Sequence, residues 1–94
     1  YLCMDTYSGR YFRSDVETIR SAVNEFNRKL LLEGWMDINS FYELLDLPSI
    51  SLGDQIGWVA PTSMLDIKYS TSMSPKGEPA LVMEYRVNPK TMSW

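Results

Sequence analysis

The chain has 94 residues, a length that suits one domain rather than two. Nine Lys and Arg residues against twelve Asp and Glu residues give a net charge of −3, which disfavours nucleic-acid binding because such proteins usually present a basic face. The chain has no histidine, so the usual general base, metal ligand and catalytic-triad partner are missing. The single cysteine, Cys3, cannot form an internal disulfide, and a reducing compartment is the simplest setting.

The first thirteen residues predict a β-hairpin. Residues 1–4 are strand-like, residues 11–12 resume the strand pattern, and Ser8 and Gly9 supply the turn between them. Cys3 is expected to be a small, buried strand residue. Because the chain begins with Tyr1, inside an apolar run, rather than with Met, we expect it to be cut from a longer protein.

The clearest predicted element is a long amphipathic helix over residues 15–33. Ser14 and Glu17 have the spacing of a capping box, in which the Ser14 hydroxyl accepts a hydrogen bond from the backbone N–H of Glu17. Gly34 is the expected residue just after the helix. Apolar side chains at intervals of three and four form one stripe that should face the core: Val16, Ile19, Val23, Phe26 and Leu30.

The middle of the chain predicts a second, shorter helix and one short strand. Asp37 is the candidate N-cap of this helix, and Pro48 ends its pattern. Trp35 and Met36 should pack against its first turn as a hydrophobic staple. Residues 48–63 are rich in loop-forming residues, interrupted by a strand over residues 56–59.

The last third predicts a second β-hairpin. Residues 65–70 alternate between apolar and polar, residues 74–78 form the connection, and residues 80–87 form the second strand. The charged residues of the two strands should share the outer face as weak cross-strand pairs, namely Asp66 and Lys68 with Glu84 and Arg86.

Together these elements predict an α+β fold, with residues 1–94 forming a single domain. An N-terminal β-hairpin, a long amphipathic helix, a short second helix, a short strand and a C-terminal β-hairpin would build one mainly antiparallel sheet. That sheet of four or five strands would pack one face on the helices, with the strand order left open.

No motif marks a catalytic, cofactor or metal site. Gly53 and Gly57 lack the continuation of a phosphate-binding loop, and the acidic residues do not match the spacing of a calcium loop. We therefore expect no cofactor, no metal and no enzymatic activity. A small hydrolase that uses carboxylates near Asp54 is the alternative. A weaker alternative is nucleic-acid binding, which would require four basic residues on one face: Arg10, Arg13, Arg28 and Lys29.

The aromatic content of 13% favours a protein-interaction surface, because one small core should not hold so many rings. The residues concerned are Tyr7, Tyr11, Phe12, Trp35, Tyr42, Trp58 and Trp94. The candidate binding residues are Tyr7 and Tyr11, together with Asp54, Gln55 and Trp58 of the loop over residues 52–58. Two interpretations of this loop stay open. It is a tight turn that Trp58 anchors on the core, or it is a recognition loop, since Trp is frequent at interface hot spots.

Five stretches of the chain carry a further signal: residues 5–20 (DTYSGRYFRSDVETIR), 24–28 (NEFNR), 41–45 (FYELL), 53–58 (GDQIGW) and 79–85 (PALVMEY). In aggregate they resemble the C-terminal domain of a bacteriophage and prophage protein family from Gram-positive gut bacteria. The family has no established activity, so the resemblance assigns no catalytic residue.

The resemblance also implies a context. Longer members of that family carry an upstream helical region with a hydrophobic segment. This implies a protein-interaction or structural module at the soluble end of a membrane-proximal protein, located in the host cytoplasm, on the cytoplasmic side of the membrane, or in the virion. A protein partner is expected and nucleic acid is not. Membrane contact would run only through a segment absent from this chain, and self-association stays open.

Overall fold

The computed structural model describes residues 1–91, which form seven strands, two helices and one 3₁₀ turn at Gly53–Gln55. In chain order the strands and helices are β1 (Leu2–Asp5), β2 (Arg10–Arg13), α1 (Val16–Glu33), β3 (Trp35–Asp37), α2 (Ile38–Leu44), β4 (Ile56–Val59), β5 (Ile67–Met73), β6 (Pro79–Tyr85) and β7 (Lys90–Thr91). The predicted α+β class and both hairpins are confirmed.

The larger sheet has four strands in the order β2-β1-β6-β5. The two hairpins are antiparallel, and they join through a parallel pairing of β1 with β6. This pairing sets Cys3 between Phe12 and Leu81. Because side chains alternate along a strand, Cys3 and Asp5 share what we call the inner face, while Leu2 and Met4 lie on the outer face.

The prediction of a single sheet is wrong, because β3, β4 and β7 form a second, three-stranded sheet. Trp35 and Met36 lie in β3 and pair with β4, and Met36 packs against the buried cluster that includes Ile38 and Phe41 of α2. A glycine allows this close pairing. A Cβ on Gly57 would lie 2.0 Å from the Met36 carbonyl oxygen, so no side chain fits there.

The start of α1 differs by one residue from the prediction. Asp15 is the N-cap, and its carboxylate accepts a 2.8 Å hydrogen bond from the Thr18 N–H. The predicted capping box of Ser14 and Glu17 is therefore wrong. Ser14 instead closes the first hairpin, where its N–H donates to the Tyr1 carbonyl at 3.0 Å. At the other end Gly34 adopts φ 84° and donates to the Leu30 carbonyl, as predicted.

The core lies between α1 and the inner face of the four-stranded sheet. Ile19, Phe26 and Leu30 of the predicted stripe are fully buried, whereas Val16 and Val23 are half-buried. The ring of Phe26 meets two further buried rings edge to face, at 5.7 Å and 5.5 Å between centroids, those of Phe41 and Trp58. Cys3 is buried in the same core, as predicted.

The elements near α2 and in the last hairpin agree with their predictions. Asp37 occupies the N-cap position of α2, although its carboxylate accepts from the Ser40 hydroxyl rather than from a backbone N–H. In the last hairpin Lys68 lies opposite Glu84, and Arg86 approaches Asp66 at 3.8 Å. The strand limits differ by one to three residues: β5 spans Ile67–Met73 rather than residues 65–70, and β6 spans Pro79–Tyr85 rather than residues 80–87.

Candidate functional site

The two tyrosines predicted to bind a partner are exposed, on different parts of the first hairpin. Tyr7 lies in the turn between β1 and β2, is 42% exposed, and meets the Tyr85 ring edge to face at 6.4 Å. Tyr11 lies on the outer face of β2 and is also 42% exposed. The prediction that surplus aromatic residues reach the surface is confirmed for this pair.

The loop predicted as a tight turn or a recognition element contains the 3₁₀ turn Gly53–Gln55. The side chain of Asn39 exchanges two hydrogen bonds with the backbone of Ile50, at 2.9 Å and 3.2 Å. A Cβ on Gly53 would lie 2.4 Å from Asn39 Oδ1, so glycine is the residue that fits beside the Asn39 side chain in this position. Asp54 and Gln55 follow it and are exposed.

Trp58 is fully buried, and its indole N–H donates to the Val87 carbonyl at 2.8 Å. The anchoring interpretation of this residue is confirmed, and its assignment as a binding residue is wrong because no partner can reach it. The predicted site residues belong to different elements. Tyr7 and Tyr11 lie in the first hairpin, whereas Asp54 and Gln55 precede the central strand of the smaller sheet.

The structure also contains a buried cluster that sequence reasoning missed, centred on Asp5. Asp5 is fully buried at the end of β1. Its Oδ2 accepts from the Tyr42 hydroxyl at 2.6 Å and from Ser8, through the hydroxyl at 2.7 Å and the N–H at 3.1 Å. Its Oδ1 accepts from the Tyr85 hydroxyl at 2.5 Å. Four donors thus satisfy one carboxylate and join β1, its following turn, α2 and β6.

Arg10 extends this cluster towards the surface. It lies opposite Asp5 in the β1–β2 register, and its Nε donates to the Ser8 hydroxyl at 3.1 Å. Its guanidinium lies 4.8 Å from the centroid of the Tyr42 ring, and its Nη1 donates to the Pro48 carbonyl at 2.8 Å. Arg10 thereby links the first hairpin to the loop that follows α2.

Burial, and next the neighbouring Asp5 carboxylate, raise the pKa of both Tyr42 and Tyr85. Both phenols therefore stay neutral and keep donating to the carboxylate across the physiological range. Such a saturated cluster fixes the relative positions of strands and helix. One sequence signal could have revealed it: Asp5 falls on the same face of β1 as the buried Cys3.

A second candidate surface is the outer face of the four-stranded sheet. Both helices lie on the inner face, where their buried residues share one core with Cys3 and Met83. The outer positions of the three strands β2, β1 and β6 nevertheless carry a block of apolar side chains, which we call the outer-face patch: Tyr11, Leu2, Met4, Ala80 and Val82. The usual pattern would place polar residues there.

A groove of about 360 Å³ opens at one end of the outer-face patch. Its walls combine Leu2 and Tyr11 with the β5–β6 connection, and Arg13 is tied to Glu78 across it by paired hydrogen bonds of 2.5 Å and 3.0 Å. The Arg13 guanidinium lowers the pKa of the Glu78 carboxyl, so the pair stays charged. The groove therefore offers an apolar floor with a charged rim.

The four basic residues of the nucleic-acid alternative do not form one face. Arg10 is on the inner face and Arg13 on the outer face of the same strand, because their positions differ by three. Arg28 and Lys29 lie on α1, where both approach the Glu25 carboxylate. The surface that this alternative required is not there.

Residues 1–91 lack two other features, a metal-binding cluster and a membrane-spanning helix. Within that range no group of three or more Cys, Asp or Glu side chains lies close enough together to hold a metal ion. Neither helix of the same range has the length and apolarity needed to cross a bilayer.

Taken together, the fold and the sites define an α+β domain of two small sheets, pinned by a buried carboxylate where β1, β6 and α2 meet. The chain belongs to the Family of unknown function (DUF6353), whose model matches residues 1–94. No curated protein and no solved structure matches the chain.

Proposed function

We propose that this domain is a non-enzymatic protein-interaction module and that the outer-face patch around Tyr11 is its binding surface. The observation that carries the proposal is an apolar sheet face on which neither helix of residues 1–91 packs. Ala80 and Val82 are already buried there, Leu2 and Met4 are half-buried, and Tyr11 is exposed. The apolar surface that remains on Tyr11, Leu2 and Met4 forgoes roughly 25 cal/mol for each Å² that could be buried. A protein partner would cover that surface.

The groove beside the patch indicates the chemistry of the partner. Tyr11 presents an aromatic ring with a polar tip, a combination that is frequent at protein interfaces. Arg13, Lys76 and Glu78 surround the apolar floor with charges of both signs. This arrangement fits a protein segment that inserts one apolar side chain and meets the rim with polar groups.

The proposal of a binding module rather than an enzyme draws on the way the acidic residues are used. The buried carboxylate, Asp5, already accepts four hydrogen bonds within the fold. Asp54, on which the hydrolase alternative depends, is exposed at the surface of a 3₁₀ turn. No observation among residues 1–91 favours that alternative.

The wider context is part of the same proposal. We place the module at the soluble end of a membrane-proximal phage or prophage protein, in the host cytoplasm, on the cytoplasmic side of the membrane, or in the virion. Support comes from the resemblance of residues 5–20, 24–28, 41–45, 53–58 and 79–85 to such a family.

Affinity capture of the full-length protein from a lysogenic host tests the proposal. Tyr11→Lys places a charge on the patch and should abolish recovery of the partner, whereas Tyr11→Phe, which keeps the ring, should retain it. Leu32→Lys is the matched control, because Leu32 is 74% exposed on α1, the helix that packs on the opposite face of the sheet. Equal recovery with Tyr11→Lys would overturn the proposal. So would a hydrolase activity that Asp54→Asn removes and that needs no partner.

A further inference from the structure

Within residues 1–91, the outer edge of β5 carries a row of backbone N–H and C=O groups that pair with no other strand. β5 is the last strand of the four-stranded sheet and pairs only with β6 there. Two hydrogen bonds at the ends of the β5–β6 ladder show which opposed residues are hydrogen-bonded pairs. The Arg86 N–H donates to the Asp66 carbonyl at 2.9 Å, and the Ser74 N–H donates to the Glu78 carbonyl at 2.8 Å. Hydrogen-bonded pairs alternate along an antiparallel ladder, so the even-numbered residues of β5 bond to β6.

The odd-numbered residues of β5 therefore direct their N–H and C=O groups to the free edge. A hydrogen bond on the other side of β6 supports this assignment. The carbonyl of the odd-numbered Met83 points away from β5 and accepts from the Thr6 N–H, which follows β1. Among residues 1–91, none of the backbone or side-chain hydrogen bonds ends on the edge-facing backbone of β5. The four residues concerned are Ile67, Tyr69, Thr71 and Met73.

The two edges of this sheet are not equally protected. Natural sheets protect their edges with short strands and charged side chains. The β2 edge follows that rule, with four residues and an arginine at each end, Arg10 and Arg13. The β5 edge has seven residues, one charge at Lys68 and no proline. Its distal half is open, and Met73 is 65% exposed there.

We propose that β5 pairs antiparallel with β5 of a second copy of this chain, about a two-fold axis through Ser70, so that two sheets become one sheet of eight strands. This is the register in which all four edge-facing residues of each copy find a partner. Tyr69 then exchanges backbone hydrogen bonds with Thr71 of the other copy, and Ile67 does so with Met73. Registers centred on Tyr69 or Thr71 pair only three of them.

The side chains of β5 are complementary to themselves in this register. At the axis the small Ser70 side chains of the two copies face one another, where strands approach most closely. Tyr69 opposite Thr71 is an aromatic and β-branched pair, a favourable combination across strands. The single charge, Lys68, lies opposite Ser72 and meets no like charge. This self-complementarity selects a second copy as the occupant over an unrelated extended peptide.

The pairing uses the edge of the sheet and leaves the outer-face patch open. It is therefore independent of the proposed binding surface, and Tyr11→Lys should leave it intact. The contact involves one strand from each copy, so the dimer should form in a concentration-dependent manner.

A pair of opposite charges at one exposed position tests the register by sedimentation equilibrium. Ser72→Glu places a carboxylate opposite Lys68 of the other copy twice per dimer, and should lower the dimer dissociation constant by about 2- to 30-fold. Ser72→Lys should raise it by a similar factor. Equal association of the two variants, or a monomer at every soluble concentration of the wild type and of Ser72→Glu, would overturn the proposal, even if an extended peptide bound to this edge.

A proline variant tests the backbone bonds themselves. Thr71→Pro removes an N–H that faces the free edge and spares the ladder to β6, so it should abolish the dimer while amide exchange in β6 stays protected. Thr71→Val, which keeps the N–H, should dimerise like the wild type. A fully dimeric Thr71→Pro would contradict the proposal. If that variant fails to fold, the two Ser72 variants still decide the question.

Discussion

The Tyr42 hydroxyl donates a 2.6 Å hydrogen bond to Asp5 Oδ2, and this bond ties α2 to β1 across 37 positions of sequence. Tyr85 reaches the other oxygen of the same carboxylate from β6. Neither contact is local, and both are buried. The cluster therefore links three segments of the chain, β1, α2 and β6, that no single hairpin or helix contains.

Removing one donor from this cluster should destabilise the fold. Tyr42→Phe deletes the hydroxyl and leaves Asp5 Oδ2 short of one hydrogen bond in a buried site, which should lower the free energy of unfolding by about 1–3 kcal/mol. Tyr7→Phe is the control, because Tyr7 is 42% exposed and its change should stay within about 0.5 kcal/mol. Urea denaturation measures both, and equal midpoints for the two variants would show that the cluster does not stabilise the fold.

Alkaline pH should weaken the same cluster. The pKa values of Tyr42 and Tyr85 in the folded protein lie above the ordinary value of about 10 for an unfolded tyrosine. A raised pKa means that the associated stability is fully present below about pH 10 and is lost as the pH rises further, because the unfolded chain ionises first.

Phenol absorbance recorded together with circular dichroism should show these two tyrosines ionising only as the protein unfolds. Tyr85→Phe should make the decline in stability above about pH 10 shallower. Reversible ionisation of every tyrosine near pH 10 with the fold intact would contradict the assignment.

The capping of α1 can be tested with two neighbouring alanine substitutions. Asp15→Ala removes the acceptor of the Thr18 N–H and should lower the urea midpoint, whereas Ser14→Ala should leave it nearly unchanged. The hydrogen bond from Thr18 lowers the pKa of Asp15, so its contribution is present above the ordinary carboxyl pKa and fades as the pH falls through the lower, folded value. A larger effect from Ser14→Ala would restore the capping box of Ser14 and Glu17.

The close pairing of β3 with β4 should make position 57 intolerant of any side chain. Gly57→Ala would set its Cβ 2.0 Å from the Met36 carbonyl oxygen, so the strands must separate, at a cost of about 1–3 kcal/mol. Gly53→Ala should cost less, because its neighbour is the Asn39 side chain, which can rotate away from Ile50. Thermal denaturation compares the two variants, and a wild-type midpoint for Gly57→Ala would refute the tight pairing.

The sequence predicted the parts of the fold that depend on neighbouring residues. The periodicity of α1, the Gly34 terminus and the alternation in the last hairpin are all local signals, and each is confirmed. The position of the cap failed by one residue because Ser14 and Asp15 are both good caps. Only the hydrogen bond of Ser14 to Tyr1, in the hairpin, decides between them.

The parts that could not be predicted depend on contacts between distant residues. The parallel pairing of β1 with β6 and the separate second sheet join segments whose sequences carry no mark of one another. For the same reason the sequence did not single out Asp5, whose partners Tyr42 and Tyr85 lie 37 and 80 positions away. Tyr11 was predicted to be exposed and is, whereas Trp58 was assigned two roles and has the structural one. Trp94, named among the surplus aromatic residues, lies outside the described residues.

A photo-crosslinking amino acid placed at Tyr11, in cells that produce the protein, tests the central claim most directly. The same group placed at Leu32 is the control, because Leu32 is exposed on α1, away from the outer-face patch. We expect one defined protein adduct from position 11 and none from position 32. No adduct at position 11, or the same adducts at both positions, would contradict the assignment of this face as the binding surface.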